Sequence, residues 1–271
     1  QVARGDFSVY LPPVHTPDHL DCLDALTEDF NRMTEALGSI ETLKTEFFSN
    51  VSHEIKTPIA VVLNTAELLR NENLAPEARR EYVETIIHSS KRLSTLITDI
   101  LKLNKLENQQ IYPQVETCDL GEQLCECLLS FEEAWEKKEL QIETDVQEAV
   151  LVDADAQLLS LVWNNLFSNA VKFTEPHGKI SLSLRTQGEF AVVQVSDTGC
   201  GIPPEVGKHI FEKFYQGDTS HATQGNGLGL ALVKRVLEMM DCQIAVQSAP
   251  GRGTAFTVTI PQREGEQYEP N

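Results

Sequence analysis

The sequence predicts a multidomain chain: an all-α coiled coil and four-helix dimerisation bundle, then an α+β sandwich with a mixed sheet. Three features carry that prediction. Apolar residues recur at alternating three- and four-residue steps from Leu23 to Val51, the spacing of a coiled-coil seam. A second, wider apolar stripe runs from Tyr82 to Leu103. Around Ile111-Tyr112-Pro113 the helical period stops, and short β-branched runs alternate with helical patterns from there on.

Residues 1–19 show no regular period and contain Pro12, Pro13 and Pro17, which reads as an extended connector. The seam that follows is Leu23, Leu26, Phe30, Met33, Leu37, Ile40, Lys44, Phe47 and Val51, with Lys44 as its one polar position. One chain cannot bury such a seam, so a parallel homodimer is expected. The pattern continues without a turn signal through Ile55, Ile59, Val62, Ala66 and Leu69. At about 100° per residue, His53 points away from the stripe of Val51 and Ile55, Thr57 shares its side, and Glu54 flanks it. Pro58 removes a backbone donor and should bend the helix one turn later. The helix should end near Asn71-Glu72-Asn73, and Pro76 suits the start of the next. That second helix carries Tyr82, Ile86, Ser89, Leu93, Leu96, Ile100 and Leu103, flanked by Val83, Ile87, Ile97 and Leu101. Such a width suits a four-helix bundle, two helices from each of two chains. His88, beside the stripe, reads as structural.

In the second domain the patterns predict helices over 119–137, 155–172 and 228–240. Strands are predicted at 140–144, 149–152, 180–184, 190–196, 243–248 and 254–260, with a frayed polar tail after Pro261. The formal net charge of −19 argues against a nucleic-acid partner. No apolar run is long enough to span a membrane, and no signal peptide is visible. The cysteines (22, 118, 125, 127, 200 and 242) lack the paired spacing of zinc sites and read as reduced thiols. Cys200, in a glycine-rich loop, is the candidate for an exposed one.

Four motifs in this domain point to nucleotide chemistry. Asn165, Asn169 and Lys172 fall on one polar helix face, opposite Val162, Leu166 and Ala170. Asparagine is a poor helix former, whereas carboxamide oxygens suit Mg²⁺ and a lysine suits phosphates. Taken alone, this face could equally be a plain polar stripe. Asp197-Thr198-Gly199-Cys200-Gly201-Ile202 follows an apolar strand, and a carboxylate there can accept from an exocyclic amine such as that of adenine. Ile210-Phe211-Glu212-Lys213-Phe214-Tyr215 precedes a polar stretch, 216–224, that suits a mobile lid. Gly225-Asn226-Gly227-Leu228-Gly229-Leu230 opens a helix whose amides offer an anion site. Its G-x-G-x-G spacing and the lack of a preceding strand exclude a dinucleotide fold.

Taken together, these residues resemble a sensor histidine kinase of a two-component system over nearly the whole chain. Ser52-His53-Glu54-Ile55-Lys56-Thr57-Pro58 is similar to the phospho-acceptor box, and Asn165 to Phe173 to the N box. Residues 197–202 and 225–230 are similar to the two glycine boxes, Phe211–Tyr215 to the F box, and Gly251-Arg252-Gly253-Thr254-Ala255-Phe256 to the terminal glycine motif. The resemblance implies a dimerisation and phosphotransfer hairpin over 38–110. It also implies an ATP-binding sandwich over 111–263, of the type shared with type II topoisomerases and mismatch-repair ATPases, with a disordered tail over 264–271. His53 would attack the γ-phosphate, Glu54 would take its proton, and Thr57 would position water for dephosphorylating a response regulator. Asn165 and Asn169 would hold Mg²⁺, Lys172 the phosphates and Asp197 the adenine amine. Phe173, Gly199, Gly201, Ile202, Phe214, Tyr215, Gly225, Gly227, Leu228, Gly229 and Thr254 would line the ATP site. The partner would be the receiver domain of a response regulator.

Residues 1–37, with Gly5-Asp6-Phe7-Ser8, Asp24-Ala25-Leu26 and Phe30-Asn31-Arg32-Met33, resemble the connector and second helix of a HAMP module. That implies a membrane anchor upstream of residue 1 and the cytoplasmic portion of a bacterial plasma-membrane receptor. Two positions depart from the family pattern. Gln216 stands where an arginine is common, leaving Lys213 or His221 as substitutes, and Asp241-Cys242 replaces two glycines. The rival reading, a dimeric scaffold that senses ATP without catalysis, is opposed by the intact His53, Glu54, Asn169 and Asp197.

Overall fold

The computed structural model describes residues 2, 6–7, 9–12, 22–71, 73–108, 112–216 and 225–262. The tail over 264–271, His221, most of the 216–224 stretch, and Gly5 and Ser8 lie outside the described residues. The chain divides into two compact units, Gln1–Leu93 and Ser94–Asn271.

The first unit is a helical hairpin. Helix α1 spans Cys22–Leu69 and α2 spans Pro76–Glu107, whose last turns belong to the second unit. Between them Arg70 N donates to Glu67 O at 3.1 Å and Asn71 N to Leu68 O at 3.2 Å, tightening the end of α1. Pro76 opens α2, where its missing donor costs nothing. α1 runs on through Pro58, which is buried within it. The proline leaves the carbonyl one turn back without its helical partner, while the Thr57 hydroxyl donates to His53 O at 3.2 Å.

In a single chain the seam lies open: Leu26 is 64% and Ile40 60% exposed. The stripe expected to be buried along the His53 helix is only half-buried at Val51 and Ile55, and Ile59 is exposed. Burial falls instead on Asp24, Thr34, Pro58 and Thr65. The connector contributes to this. Asn31 clasps Leu11 with both ends of its carboxamide, at 2.9 and 2.8 Å, and Gly38 faces Phe7. The connector therefore runs antiparallel to α1, along the face that carries Asn31, Thr34 and Gly38.

The second unit is a two-layer α/β sandwich. Its elements are β1 Glu116–Asp119, α3 Leu120–Leu129, α4 Glu132–Lys137, β2 Gln141–Val146, β3 Leu151–Ala154, α5 Ala156–Phe173, β4 Lys179–Gln187 and β5 Phe190–Asp197. There follow α6 Pro204–Gly207, α7 Gly229–Met239, β6 Gln243–Ser248 and β7 Thr254–Pro261. Five strands form a mixed sheet in the order β2-β4-β5-β7-β6, in which only β2 and β4 pair in parallel. β1 and β3 form a separate antiparallel pair.

Period-two alternation decides the sheet's faces. Ile180, Leu182, Leu184, Ala191, Val193, Val195, Phe256, Val258 and Ile260 are buried, whereas Ser181, Ser183, Gln194, Ser196, Thr257 and Thr259 are partly exposed. The buried face meets α5, whose Leu159, Val162, Trp163, Leu166 and Phe167 form the centre of the core. Asp119 and Asp155 cap α3 and α5 by accepting from amides of their first turns.

The helix expected over 119–137 is broken at Ser130-Phe131, where the Ser130 hydroxyl turns to Cys127 O and Phe131 packs edge-on against Phe167. At the break the Ser130 side chain competes for a backbone carbonyl of its own turn. β1 and α6 carry no periodic signal and were not anticipated, being only four residues each.

Candidate functional sites

The first site lies on α1. His53 is exposed, and its imidazole bonds to no described residue. Glu54 is half-buried and faces Arg92 of α2 at 3.6 Å, so the carboxylate beside the histidine is oriented by a cation from the second helix. Thr57 is one turn along and exposed. The three lie together, as the helical spacing predicts. Arg92 was not anticipated, because a contact between two helices leaves no local sequence pattern.

The second site gathers the four motifs of the sandwich around α5 and the ends of β5 and β7. Asp197, the last residue of β5, accepts through Oδ1 from Gly199 N at 2.8 Å and Thr254 N at 3.3 Å. Its other oxygen accepts from no described residue and remains available as an acceptor. Burial pushes the Asp197 carboxyl above the usual carboxylate range, and the two backbone amides oppose that shift. Thr254, itself buried, shares a 2.9 Å contact with the Ser248 hydroxyl, which also accepts from Ile202 N at 2.8 Å and donates to Gly253 O at 2.9 Å. Ser248, unanticipated, thus ties Ile202 to the terminal glycine motif. Gly201 has φ +69°, and a Cβ there would collide with the Ala249 carbonyl. Only glycine allows that turn and that approach.

On α5, Asn165 donates through Nδ2 to Leu161 O at 2.7 Å and turns its oxygen toward Gly229, where a Cβ would stand 2.5 Å away. Asn169 is half-buried and hydrogen-bonds to no described residue, which leaves its whole carboxamide available. Lys172 lies over the half-exposed Phe173 ring at 4.4 Å, with its ammonium beside Gly225. The end of this helix is fastened from elsewhere: Lys138 Nζ donates to Val171 O, Lys172 O and Thr174 O at 2.8, 2.9 and 2.9 Å. A cation on three terminal carbonyls caps α5 where Lys172 and Phe173 enter the site.

The F box and second glycine box meet directly. Phe214 adopts φ 62° and donates its amide to Gly227 O at 2.9 Å, and the Tyr215 ring lies 5.3 Å from His209. Leu228 is fully buried and precedes the first turn of α7. Lys213, one of the two substitutes for the missing arginine, is engaged with Glu107 at 2.5 Å. Gln216 donates to Gly225 O at 3.2 Å. Every nucleotide-site residue named from the sequence therefore falls in this one unit.

Two family models match the chain. Residues 43–109 match the His Kinase A (phospho-acceptor) domain. Residues 154–264 match the histidine kinase-, DNA gyrase B- and HSP90-like ATPase family. The chain belongs to the sensor histidine kinases.

Among curated relatives of this family, the chain is 39% identical over 227 residues to the circadian input-output histidine kinase CikA of Synechococcus elongatus. The match covers 81% of this chain and 30% of CikA, so the chain spans less than a third of that relative's length. Among solved structures, histidine kinase ThkA in complex with response regulator protein TrrA shares the fold at a TM-score of 0.70. It is 24% identical, with 83% of this chain and 64% of that chain covered. Full-length ShkA in complex with AMPPNP is 30% identical at a TM-score of 0.58, covering 82% of this chain and 45% of that chain. Among the described residues no helix is long and apolar enough to cross a membrane, and no cluster of three or more His, Cys, Asp or Glu could hold a metal.

Proposed function

We propose that this chain autophosphorylates His53 from ATP and passes the phosphoryl group to an aspartate in the receiver domain of a response regulator. The carrying observation is an exposed imidazole that bonds to no described residue, beside an oriented carboxylate, on a chain whose residues 154–264 match the histidine kinase-type ATPase family. In the transfer a nitrogen of His53 attacks the γ-phosphorus, the bond to the bridging oxygen breaks, ADP leaves, and Glu54 accepts the imidazole proton. Glu54 is suited to that role because Arg92 holds its carboxylate in place.

For the substrate, the free oxygen of Asp197 would receive the adenine amine, and Lys172 beside Gly225 would meet the phosphates. AMPPNP in ShkA supports a nucleotide in this unit. The residues also fit Mg²⁺: Asn169 offers a carboxamide that bonds to no described residue, and Asn165, whose Nδ2 is taken by Leu161 O, offers its oxygen on the same face. The ion would neutralise phosphate charge. Thr57 would align water for hydrolysis of the regulator's acyl phosphate, making the chain both kinase and phosphatase. The open seam of α1 would be covered by a second copy, giving the parallel dimer.

Incubation with γ-labelled ATP and Mg²⁺ tests the kinase reading. The expected product is a protein-bound label that survives alkali, is lost in acid, and disappears in His53→Gln while ATP binding is retained. Label persisting in His53→Gln would overturn the assignment.

A further inference from the structure

Asn226 lies between two glycines of the second glycine box, and its carboxamide is used at both ends. Its Oδ1 accepts from Leu228 N at 3.1 Å, and its Nδ2 donates to Asp99 Oδ2 at 2.7 Å. Asp99 belongs to α2, 127 positions earlier, and to none of the motifs that mark the nucleotide site. An ionised carboxylate only accepts, so it settles which end of the carboxamide faces it. With Nδ2 turned to Asp99, the oxygen must face Leu228 N, and the turn into α7 is closed.

The same stretch of α2 is fixed to this unit twice more. Arg235 of α7 donates through two nitrogens to Leu106 O at 3.2 Å, and Lys213 of the F box pairs with Glu107. Asp99 and Leu106 are two helical turns apart on one side of α2, and Glu107 follows directly. Leu103 and Leu106 are buried beside them, so the face is held by packing as well. The glycine loop is therefore pinned through Gly227 by Phe214, against Asn165 at Gly229, and through Asn226 by Asp99. Only the last of these comes from outside the nucleotide motifs.

We propose that Asp99 is a positioning residue for the nucleotide site. Acting through Asn226, it holds the 225–229 loop in the shape that receives phosphate, and so sets nucleotide affinity without touching nucleotide. The proposal rests on the nucleotide-binding role given above to the second unit. Its energetic source is one charge-assisted hydrogen bond in a half-buried position, of the kind whose loss costs about tenfold in an equilibrium constant.

The test is calorimetric binding of Mg·ATP to the full chain, with KM and kcat for His53 labelling measured in parallel. Asp99→Ala and Asn226→Ala should each weaken binding about tenfold and raise KM while kcat stays within about twofold. The double variant should be no worse than Asn226→Ala alone, since that change already removes the bond to Asp99. Asp99→Asn keeps an acceptor for Nδ2 and should restore most of the affinity. Unchanged binding in Asp99→Ala would overturn the proposal, as would additive single effects. So would tighter binding in both Asp99→Ala and Asp99→Asn, which would mean that the carboxylate acts by repelling phosphate. Failure of the unsubstituted chain to bind Mg·ATP would instead overturn the nucleotide reading itself.

Discussion

Asp197, the proposed acceptor of the adenine amine, shows how a single residue can cost the fold something. Burial raises its carboxyl, so the folded state binds the proton more tightly than the unfolded chain does. The sign follows: this group destabilises the fold at neutral pH, and the cost is relieved as pH falls through its raised folded value. Recognition of an amine needs the opposite, an ionised acceptor. Nucleotide affinity should therefore drop on mild acidification, at pH values just above the ordinary carboxylate range, while the fold is not weakened through this group. Asp197→Asn would keep the acceptor for Gly199 N and Thr254 N but place a donor where the free oxygen stands. It should lose ATP binding in calorimetry without lowering the thermal midpoint; a lower midpoint with binding intact would contradict this. Thr57 is separable in a different way, because among the described residues its hydroxyl bonds to the backbone of its own helix. Thr57→Ala should label His53 at the parental rate yet lose dephosphorylation of a phosphorylated receiver domain. Equal decay of the phospho-receiver with either protein would remove Thr57 from that role.

At the scale of elements, the proposed nucleotide site lies where strand ends, one helix and glycine turns crowd together. Gly201 is the sharpest case: a positive φ and the Ala249 carbonyl leave no room for a methyl group. Gly201→Ala should destabilise the second unit by on the order of 1–3 kcal/mol, read as a lower urea midpoint, and should weaken nucleotide binding through Ile202 and Ser248. An unshifted midpoint would mean that the turn relaxes freely. α5 and β5 were legible because their periods are long and unbroken, while β1 was not, since four polar-flanked residues carry no period. The break between α3 and α4 was also hidden. A helical pattern runs through Ser130-Phe131, where the Ser130 hydroxyl turns to Cys127 O and Phe131 meets the Phe167 ring across the core.

At the scale of the whole chain, the coiled-coil seam is the unsatisfied feature. A run of Leu, Met and Ile along α1 is left open to water in one copy, which a stable soluble helix does not sustain over this length. The chain should sediment at twice its 30.2 kDa mass, and Leu26→Asp with Ile40→Asp should shift it toward the monomer. A monomeric parent chain would refute the seam as a dimer contact.

The sequence by itself determined the helical hairpin ahead of the α/β unit, the exposed side of α1 that carries His53 and Thr57 with Glu54 flanking, and the motifs that bound the proposed nucleotide site. Each of those is written in short-range spacing: a helical period, an alternation of faces, or a glycine next to the residue it frees. Tertiary structure alone decided the partners. Arg92 on Glu54, Lys138 on the end of α5, Ser248 behind Ile202 and Asp99 behind Asn226 join residues far apart in the chain. Such contacts depend on how elements pack, and packing leaves no mark on the local pattern of either partner.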